Sequence, residues 1–536
     1  MHFFRKTMWR ICSVVLCVGS VIACSSGRQI PDNVLQVGNG AEVQELDPHV
    51  VSGVSEHRIL SALFEGLTDY APETLEPVPA VAKSWDLSPD QLTYTFHLRE
   101  DAEWSNGDPV TAHDFAYGWH RILSPAMGSE YAYLLYCLQN ARAYHEGDIT
   151  DFDKVGVRVL DDHTLEVVLE HPTPYFLTMH NHYAWFPVHQ ATIEAHGAMD
   201  TRGTRWTRPG NLVGNGPFVL TAWRPNEVIS VRRNPHYWDA EAVRLEGIDF
   251  HPIDNHQTEE RSFRSGLLHI TSTIPLHRVD VYRQERPEVL NLQPYYGTYF
   301  YRLNVTRPPF DDQRVRKAFA LAVNRQELAD HVLTGDEQAA THFVPPGVGY
   351  EPIHRVTFDV EKARALLAEA GYPDGDGLPR VEILYNTSEA HRTIAEAIQH
   401  MWREYLNVDA RLFNQDWKVY LSSMNNLDYH VARSGWIGDI ADPINFLECF
   451  QTGLGNNRTG WSSPEFDALI EAAYNERDAD KRLQYMQQAE ALLLDGGPII
   501  PIYFYTWIFL KAPELHGLTP NILGYIRWKD LYLEGE

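Results

Sequence analysis

The sequence predicts a mixed α/β protein with separate lobes. Alternating apolar and polar residues, typical of half-buried strands, mark the first half of the chain, whereas helical periodicity marks the second half. The 536 residues are too many for a single hydrophobic core, so two or three domains are expected. A hydrophobic content of 44% with 22% charged residues is that of a folded globular protein.

Three stretches of the first half have the period of two that predicts strands. Residues 92–100 alternate apolar and polar side chains, and residues 164–170 do the same. Residues 216–234 are predicted to form a hairpin that turns over residues 224–226. The first half therefore contributes antiparallel strands.

Residues 104–114 contain acid–base groups, but local structure explains them. Asn106-Gly107 predicts a turn. Thr111 and Asp114 have the spacing of a capping box that starts a helix. We interpret this stretch as structural.

Four helices are predicted in the second half from apolar residues that recur every three or four positions. They are residues 314–335 with Gly335 as the stop, residues 360–371 capped by Asp359, residues 393–406, and the stretch from Pro464 that follows Ser463. No stretch between them resembles a disordered linker. Short ordered crossings between lobes suit closure around a ligand.

The acidic composition argues against some classes of partner. A formal net charge of −27 disfavours nucleic acid, which needs Lys and Arg to neutralise phosphates, and equally an anionic membrane surface. We interpret the acidic surface as a means of keeping a soluble protein dispersed.

Residues 1–23 are predicted to be a lipoprotein signal peptide. Basic residues precede a short apolar run that ends in small residues and is too short to span a membrane. Residues 21–24 resemble a bacterial lipobox, in which Cys24 would be acylated and become the mature N-terminus. The protein would then be periplasmic, in the cell envelope, and attached to a membrane through this lipid anchor only. A plain signal peptide cut near Ala23 is the alternative.

Two cysteines remain after the predicted signal and Cys24. Cys137 and Cys449 either pair in an oxidising compartment or stay as two buried thiols, and sequence leaves both open.

The histidines prompt a test for a metal site. His180, His182 and His189 lie close together, with His171 and His196 nearby, but no HExxH or similar ligand spacing is present. We interpret them as solvated or hydrogen-bonded surface side chains, and we predict no metal and no cofactor.

No catalytic motif supports an enzyme. The chain lacks a G-x-S-x-G elbow, a phosphate-binding P-loop and a GxGxxG after a strand. Carboxylate pairs arise by chance among 72 acidic residues. The prediction is therefore a protein that binds rather than catalyses.

Long segments of the chain resemble the extracytoplasmic solute-binding proteins of bacterial ABC importers (family 5), in their peptide-binding branch. The matching segments are residues 63–67, 79–115, 215–239, 308–325 and 366–373. Residues 385–391, 414–421 and 432–443 are most similar to the oligopeptide-binding members. The resemblance covers nearly the whole chain after the signal.

This resemblance implies an α/β fold of the type II periplasmic-binding-protein kind, which is a two-lobe clamp with an extra α+β domain inserted in the first lobe. Lobe I would comprise residues 24–68, 193–296 and 507–536. The inserted domain would comprise residues 69–192, and lobe II residues 297–506.

The resemblance also implies how a ligand is held. A short peptide would lie extended between the closed lobes and pair through its backbone as an added strand. Its α-ammonium would need a carboxylate, because an unpaired buried charge is costly.

The resemblance assigns roles to residues of the stretch 432–443. Asp439 would bind the peptide α-ammonium, Arg433 the α-carboxylate of a short peptide through bidentate contact, and Trp436 would line a side-chain pocket. The remaining residues expected near the ligand are Glu56, Trp417, Tyr131, Tyr133, Tyr295, Asn425 and Tyr503. For Trp417 and Tyr295, plain core packing is the alternative.

The chain departs from its relatives at three places. Gly297 and Ile437 stand where relatives carry cysteines, so that disulfide is absent. Asn425 stands where a relative has a histidine that meets the carboxylate of a longer peptide. Residues 270–275 lack an expected ligand-side tyrosine.

The predicted function is that of a monomeric substrate-binding lipoprotein that captures short peptides and delivers them to the transmembrane subunits of an ABC permease. Other cargoes known in the family, namely murein peptide, nickel or heme, are the first alternative. A secreted hydrolase is the second, although it would need a nucleophile or metal set that the sequence does not offer.

Overall fold

The computed structural model describes residues 33–534, so the predicted signal peptide and Cys24 lie outside the described residues. Eighteen strands occur in this range. They are β1 Val34–Gly38, β2 Thr68–Tyr70, β3 Pro77–Pro79, β4 Ala82–Leu87, β5 Thr93–Leu98, β6 Val157–Asp161, β7 Thr164–Val168, β8 Phe218–Arg224, β9 Val228–Arg233, β10 Gly247–His251, β11 Leu290–Leu303, β12 Gln338–Ala339, β13 Glu382–Asn386, β14 Arg411–Gln415, β15 Val431–Ile437, β16 Ile499–Leu510, β17 Leu515–His516 and β18 Tyr532–Leu533.

Fifteen α-helices occur within the same residues. They are α1 Val54–Leu63, α2 Ala112–Leu123, α3 Ala141–His145, α4 Phe176–Met179, α5 Gln190–Glu194, α6 His256–Arg264, α7 Val279–Glu285, α8 Gln313–Leu321, α9 Arg325–His331, α10 Val360–Glu369, α11 Glu389–Leu406, α12 Trp417–Asn425, α13 Ile444–Leu447, α14 Pro464–Asn475 and α15 Ala479–Gly496. Among the helices of residues 33–534, none is long and apolar enough to cross a membrane.

One four-stranded sheet has the order β1-β10-β9-β8. β1 runs parallel to β10, and the other neighbours are antiparallel. The hairpin of β8 and β9 confirms the one predicted over residues 216–234. Its turn contains Asn226 with φ of 59°, a left-handed conformation that asparagine tolerates.

A second four-stranded sheet has the order β4-β5-β7-β6 and is antiparallel throughout. Burial along β5 alternates as the sequence predicts, with Tyr94, Phe96 and Leu98 on the buried face. Next to it, α2 begins with the predicted capping box: the Thr111 N–H donates to the Asp114 carboxylate at 2.8 Å. The acid–base groups of this stretch are thus used locally.

A six-stranded sheet of order β12-β16-β11-β15-β13-β14 holds most of the second half together. β11 and β16 are its longest strands and pair antiparallel, with irregularities after Pro294 and after Tyr299. Both predicted crossings between lobes, at residues 296–297 and 506–507, fall within these two strands. The domain boundaries themselves stay a prediction.

Most predicted helices are present with the predicted caps. The side chains of Asp359 and Ser463 accept hydrogen bonds from the first turns of α10 and α14. The single helix predicted over residues 314–335 is wrong, because the chain forms α8 and α9 instead. Asn324 explains the break: its side chain accepts from the Glu327 N–H and so caps a new helix.

The interpretation of the histidines as surface side chains is also wrong for four of the five. His171, His180, His182 and His189 are buried, and only His196 is partly exposed. His180 shows the reason, since its ring packs against Phe176 and Trp185 at centroid distances of 4.7 and 4.9 Å. These rings serve as core aromatics.

The sequence did not decide whether the two remaining cysteines form a disulfide, and the structure has them as separate thiols. Cys137 and Cys449 are both free and buried. Burial raises the pKa of each thiol because the thiolate would be desolvated.

Candidate functional site

A cavity of about 470 Å³ lies among segments that are far apart in the sequence. Its wall combines α1, α12, β15 with the loop that follows it, β16, and residues 181–183. Of the residues predicted near a ligand, seven line this cavity: Glu56, Tyr131, Tyr295, Trp417, Arg433, Trp436 and Asp439. The structure therefore brings most of the predicted site together.

β15 presents an open edge to this cavity. One side of the strand pairs with β11 along its whole length, from Val431 to Ile437. The other side pairs with β13 only at Val431 and Ala432. No strand among the described residues covers that edge from Ser434 onward. An extended ligand can therefore add to the sheet there.

Glycines keep this part of the cavity open. A Cβ atom at Gly435 would collide with the Tyr505 hydroxyl, and one at Gly438 would lie 2.6 Å from Tyr296 Cδ1. The two glycines that interrupt the stretch 432–443 are thus required by close packing around the strand end.

Asp439 follows β15 and is held in place by its neighbours. Its N–H donates to Asn445 Oδ1 at 2.8 Å, and Tyr70 donates its hydroxyl to the Asp439 carbonyl at 3.3 Å. His182 Nε2 lies 3.3 Å from Asp439 Oδ1, but the geometry is not that of a hydrogen bond. The carboxylate is partly exposed to the cavity and available for a cationic partner.

Asn445 connects Asp439 to the buried carboxyl group of Glu448. Its amide donates to Glu448 Oε1 at 3.2 Å, and Tyr474 donates its hydroxyl to Glu448 Oε2 at 2.7 Å. Burial raises the pKa of Glu448 to about 8, and the two hydrogen bonds offset only part of that rise. Glu448 therefore stays largely protonated at neutral pH.

Arg433 lies on β15 and faces the same cavity. Its guanidinium donates to the Tyr505 hydroxyl at 2.8 Å and to Asn386 Oδ1 at 3.3 Å, and it lies over the Tyr299 ring at 4.8 Å. Its Nε has no hydrogen-bond partner within residues 33–534. Neutral groups position this cation, and a ligand anion can approach it.

Aromatic rings form the walls between the two charges. The Tyr131 ring lies 6.4 Å from that of Trp436, and the Trp417 ring stacks on Tyr420 at 5.6 Å. The Tyr295 ring lies 6.2 Å from that of Trp507. Trp417 and Tyr295 are only partly buried and line the cavity, which favours a pocket role over core packing.

Glu56 is a buried carboxyl group on α1. Its Oε1 accepts from the Gln44 N–H at 2.9 Å, whereas no described residue pairs with its Oε2. Burial raises the pKa of Glu56, which the Gln44 N–H partly offsets. An unpaired oxygen of this kind can accept a hydrogen bond from a ligand.

Three residues predicted near the ligand do not line the cavity. Tyr133 lines a separate cavity of about 350 Å³. Asn425 instead donates to Glu130 Oε1 at 2.7 Å, and the Tyr503 ring stacks on Tyr299 at 4.7 Å within the core.

The cavity also contains residues that sequence reasoning did not select. Tyr505 binds Arg433, His57 stacks on His182 at 6.0 Å, and Arg58 lies beside Trp507. The alternation of side chains along β16 places Tyr505 and Trp507 on one face and could have found Tyr505. His57 and Arg58 follow Glu56 directly, but no local pattern distinguishes them from ordinary helix residues.

Two further predictions concern absent features. Gly297 and Ile437 are cross-strand partners in β11 and β15, so the positions that carry cysteines in relatives face each other here. Within residues 33–534, no group of three or more His, Cys, Asp or Glu side chains is arranged to hold a metal ion.

The fold and the cavity are those of a solute-binding protein. Residues 76–458 match the model of the bacterial extracellular solute-binding proteins, family 5 Middle. The chain belongs to this family, whose members bind substrates. The match confirms both the resemblance and the fold class, a two-lobe α/β clamp with an additional domain.

Several relatives are named for the peptides that they bind. The dipeptide-binding protein DppE of Bacillus subtilis is 37% identical over 93% of this chain and 92% of its own length. The murein tripeptide-binding protein MppA of Escherichia coli is 34% identical in its solved structure, with a TM-score of 0.89 over 94% of this chain and 99% of that one.

Two further solved structures indicate the state of the clamp. Haemophilus influenzae OppA in complex with the peptide RPPGFSPFR, 33% identical, matches with a TM-score of 0.87 over 94% of this chain and 99% of that one. The unliganded open form of MppA, 34% identical, reaches only 0.63 at a coverage of 93% and 97%. The arrangement described here is therefore the closed one.

Proposed function

We propose that this protein is the substrate-binding component of an ABC importer and captures short peptides between its two lobes. The observation that carries the proposal is the pair of opposite charges along one open strand edge, with Arg433 on β15 and Asp439 just beyond it. A zwitterionic peptide has the complementary pair, an α-ammonium and an α-carboxylate.

The spacing of these charges suits a short ligand. Asp439 lies six positions after Arg433, which at about 3.3 Å per extended residue places them at most about 20 Å apart. Backbone pairing to residues 434–437 would hold a peptide without regard to its side chains, and the aromatic walls would take side chains loosely. Broad sequence tolerance for peptides of about two to five residues follows.

Export, anchoring and delivery belong to the same proposal. The lipobox-like residues 21–24 support acylation at Cys24, and membership of the family supports delivery to a membrane permease. Cys24→Ala in the full-length protein should leave it unlabelled by radioactive palmitate in cells and release it from the membrane fraction. Retained label would contradict the anchor without affecting the ligand proposal.

Native mass spectrometry of protein purified without denaturation tests the ligand class. We expect co-purified masses of short peptides, and calorimetry with two- to five-residue peptides should then show binding. A co-purified metal, a heme or a bile acid would contradict the proposal, and a muropeptide mass would redirect it to murein-derived cargo. Steady peptide cleavage that a chelator abolishes would support the hydrolase instead.

A further inference from the structure

Arg58 is a cation of the cavity that contains Asp439 and Arg433, and it has no anionic partner among residues 33–534. It lies on α1, is partly buried, and lines the cavity together with Asp439 and Arg433. No carboxylate within residues 33–534 forms an ion pair with its guanidinium, which contacts the ring of Trp507 at 5.4 Å to the centroid. A guanidinium has five donors, so its capacity for hydrogen bonding is unused here.

The nearest buried carboxyl group does not neutralise Arg58. Glu259 acts on Arg58 only at longer range, and both of its oxygens are already bound by Ser272, through the N–H at 2.6 Å and the hydroxyl at 2.8 Å. Burial raises the pKa of Glu259 to about 7, so it carries only part of a charge at neutral pH. Burial also lowers the pKa of Arg58, and Tyr295 and Glu259 offset only part of that effect.

A short chain of contacts leads from the Arg58 segment of α1 to Asp439. The ring of His57, the residue before Arg58, stacks on that of His182 at 6.0 Å, and His182 Nε2 lies 3.3 Å from Asp439 Oδ1. The Trp507 ring that Arg58 contacts lies 6.2 Å from the Tyr295 ring. We expect a peptide whose ammonium meets Asp439 to place one of its first side chains beside Arg58.

We propose that Arg58 forms a carboxylate subsite that selects peptides with an acidic side chain at the first or second residue. The proposal rests on the proposed peptide-binding function. A closed clamp desolvates this guanidinium, and an unpaired buried charge is costly, so a ligand carboxylate completes the site. Arginine suits this role because its planar fork binds carboxylate in a bidentate manner.

Calorimetry with matched peptides tests the subsite. Each Glu peptide is compared with the same peptide carrying Gln in place of Glu, here called its Gln twin. The pairs are Glu-Ala-Ala with Gln-Ala-Ala and Ala-Glu-Ala with Ala-Gln-Ala, each with a free or an amidated C-terminus. Wild-type protein should bind at least one Glu peptide about tenfold or more tightly than its Gln twin, the scale expected for a desolvated charge pair. Arg58→Met should bring that ratio close to one, while Arg58→Lys should keep part of the ratio.

Arg261→Met is the matched control, since Arg261 is exposed on α6 and its loss changes the net charge equally. It should leave the Glu/Gln ratio at the wild-type value. A wild-type ratio near one, or a ratio that Arg58→Met leaves intact, would overturn the subsite. The proposed subsite would also be contradicted if Arg58→Met removed the effect of C-terminal amidation instead, because the terminal carboxylate of the peptide would then be the partner of Arg58. If the Gln twins bind, the proposed function survives each of these results; if no peptide binds, the proposed function itself fails.

Discussion

At the scale of single residues, the site is built from charges that neutral groups hold in place. Asn445 and Tyr70 orient Asp439, while Tyr505 and Asn386 orient Arg433. Among residues 33–534, no cationic side chain donates a hydrogen bond to the Asp439 carboxylate, and no carboxylate accepts one from Arg433. This arrangement leaves both charges to be satisfied by a ligand.

Asp439→Asn should weaken the binding of a free tripeptide by about 2–5 kcal/mol, the scale for truncating one partner of a buried charge pair. N-acetylation of the same peptide should weaken binding to wild-type protein similarly, because it removes the other partner. The acetylated peptide should bind both proteins alike in calorimetry. Asp374→Asn, on an exposed loop, is the control. Additive losses from the two changes would contradict the ammonium contact.

Glu448 should make stability depend on pH. Below its ordinary pKa near 4.5, this carboxyl is neutral in both folded and unfolded chains. Between about 4.5 and about 8 it is ionised only when unfolded, so the folded state binds more protons and the free energy of unfolding falls as pH rises. Glu259 and Glu490, with pKa values raised to about 7 by burial, add to the same trend.

Glu448→Gln should flatten this dependence, because an amide stays neutral at every pH. Denaturant unfolding at pH 5 and pH 8.5 should show a smaller loss of stability in the variant than in wild-type protein. The exposed Glu241→Gln serves as control and should change nothing. An equal loss in wild type and Glu448→Gln would show that Glu448 is ionised in the folded protein.

At the scale of elements, the open edge of β15 and the closing contacts around it would determine how the proposed peptide is held. The edge is free from Ser434 because β13 stops pairing after Ala432. The glycines of this segment keep Tyr505 and Tyr296 close to the strand without blocking it.

Backbone N-methylation of the peptide should reveal strand addition. An extended peptide paired to one edge points alternate N–H groups toward that edge. Methylating a tetrapeptide one amide at a time should therefore reduce affinity strongly at every second amide and weakly at the others. Equal losses at all positions, measured by calorimetry, would argue against pairing with β15.

Glu130 should stabilise the closed arrangement. It accepts hydrogen bonds from Arg458 and from Asn425, which lie in the predicted lobe II, whereas Glu130 lies in the predicted inserted domain. In the ion pair of Arg458 and Glu130, the two side chains are 12% and 20% exposed, respectively. Glu130→Gln should reduce peptide affinity about five- to tenfold and shift the free protein toward the open form in small-angle X-ray scattering.

Asp428→Asn is the matched control for Glu130. Asp428 is 72% exposed and pairs with Arg307 inside the same predicted lobe, so its loss should leave closure unchanged. Equal effects of the two substitutions would remove any special role for the Glu130 contact.

Sequence reasoning reached the strands, the helix caps and the charged stretch 432–443 because each depends on local pattern or on a long family resemblance. It missed Arg58 because its isolation from any carboxylate depends on tertiary packing. The buried histidines and the break at Asn324 were missed for the same kind of reason: packing among aromatics and a single side-chain cap override composition and periodicity.

At the scale of the whole molecule, the protein is a closed clamp around an internal cavity. The structure matches a peptide-bound relative with a TM-score of 0.87 and an unliganded open form with a TM-score of only 0.63. We interpret this gap as a difference in the relative placement of the two lobes. Closure desolvates Asp439, Arg433 and Arg58 together, so ligand charge and closure are coupled.

A crystal structure of the protein with a bound tripeptide tests the central claim most directly. We predict that the peptide lies extended in the cavity and pairs with the edge of residues 434–437. Its α-ammonium should lie about 3 Å from the Asp439 carboxylate, the distance of a hydrogen bond between charged groups. A peptide bound elsewhere, or one whose ammonium faces solvent while the lobes are closed, would contradict the account.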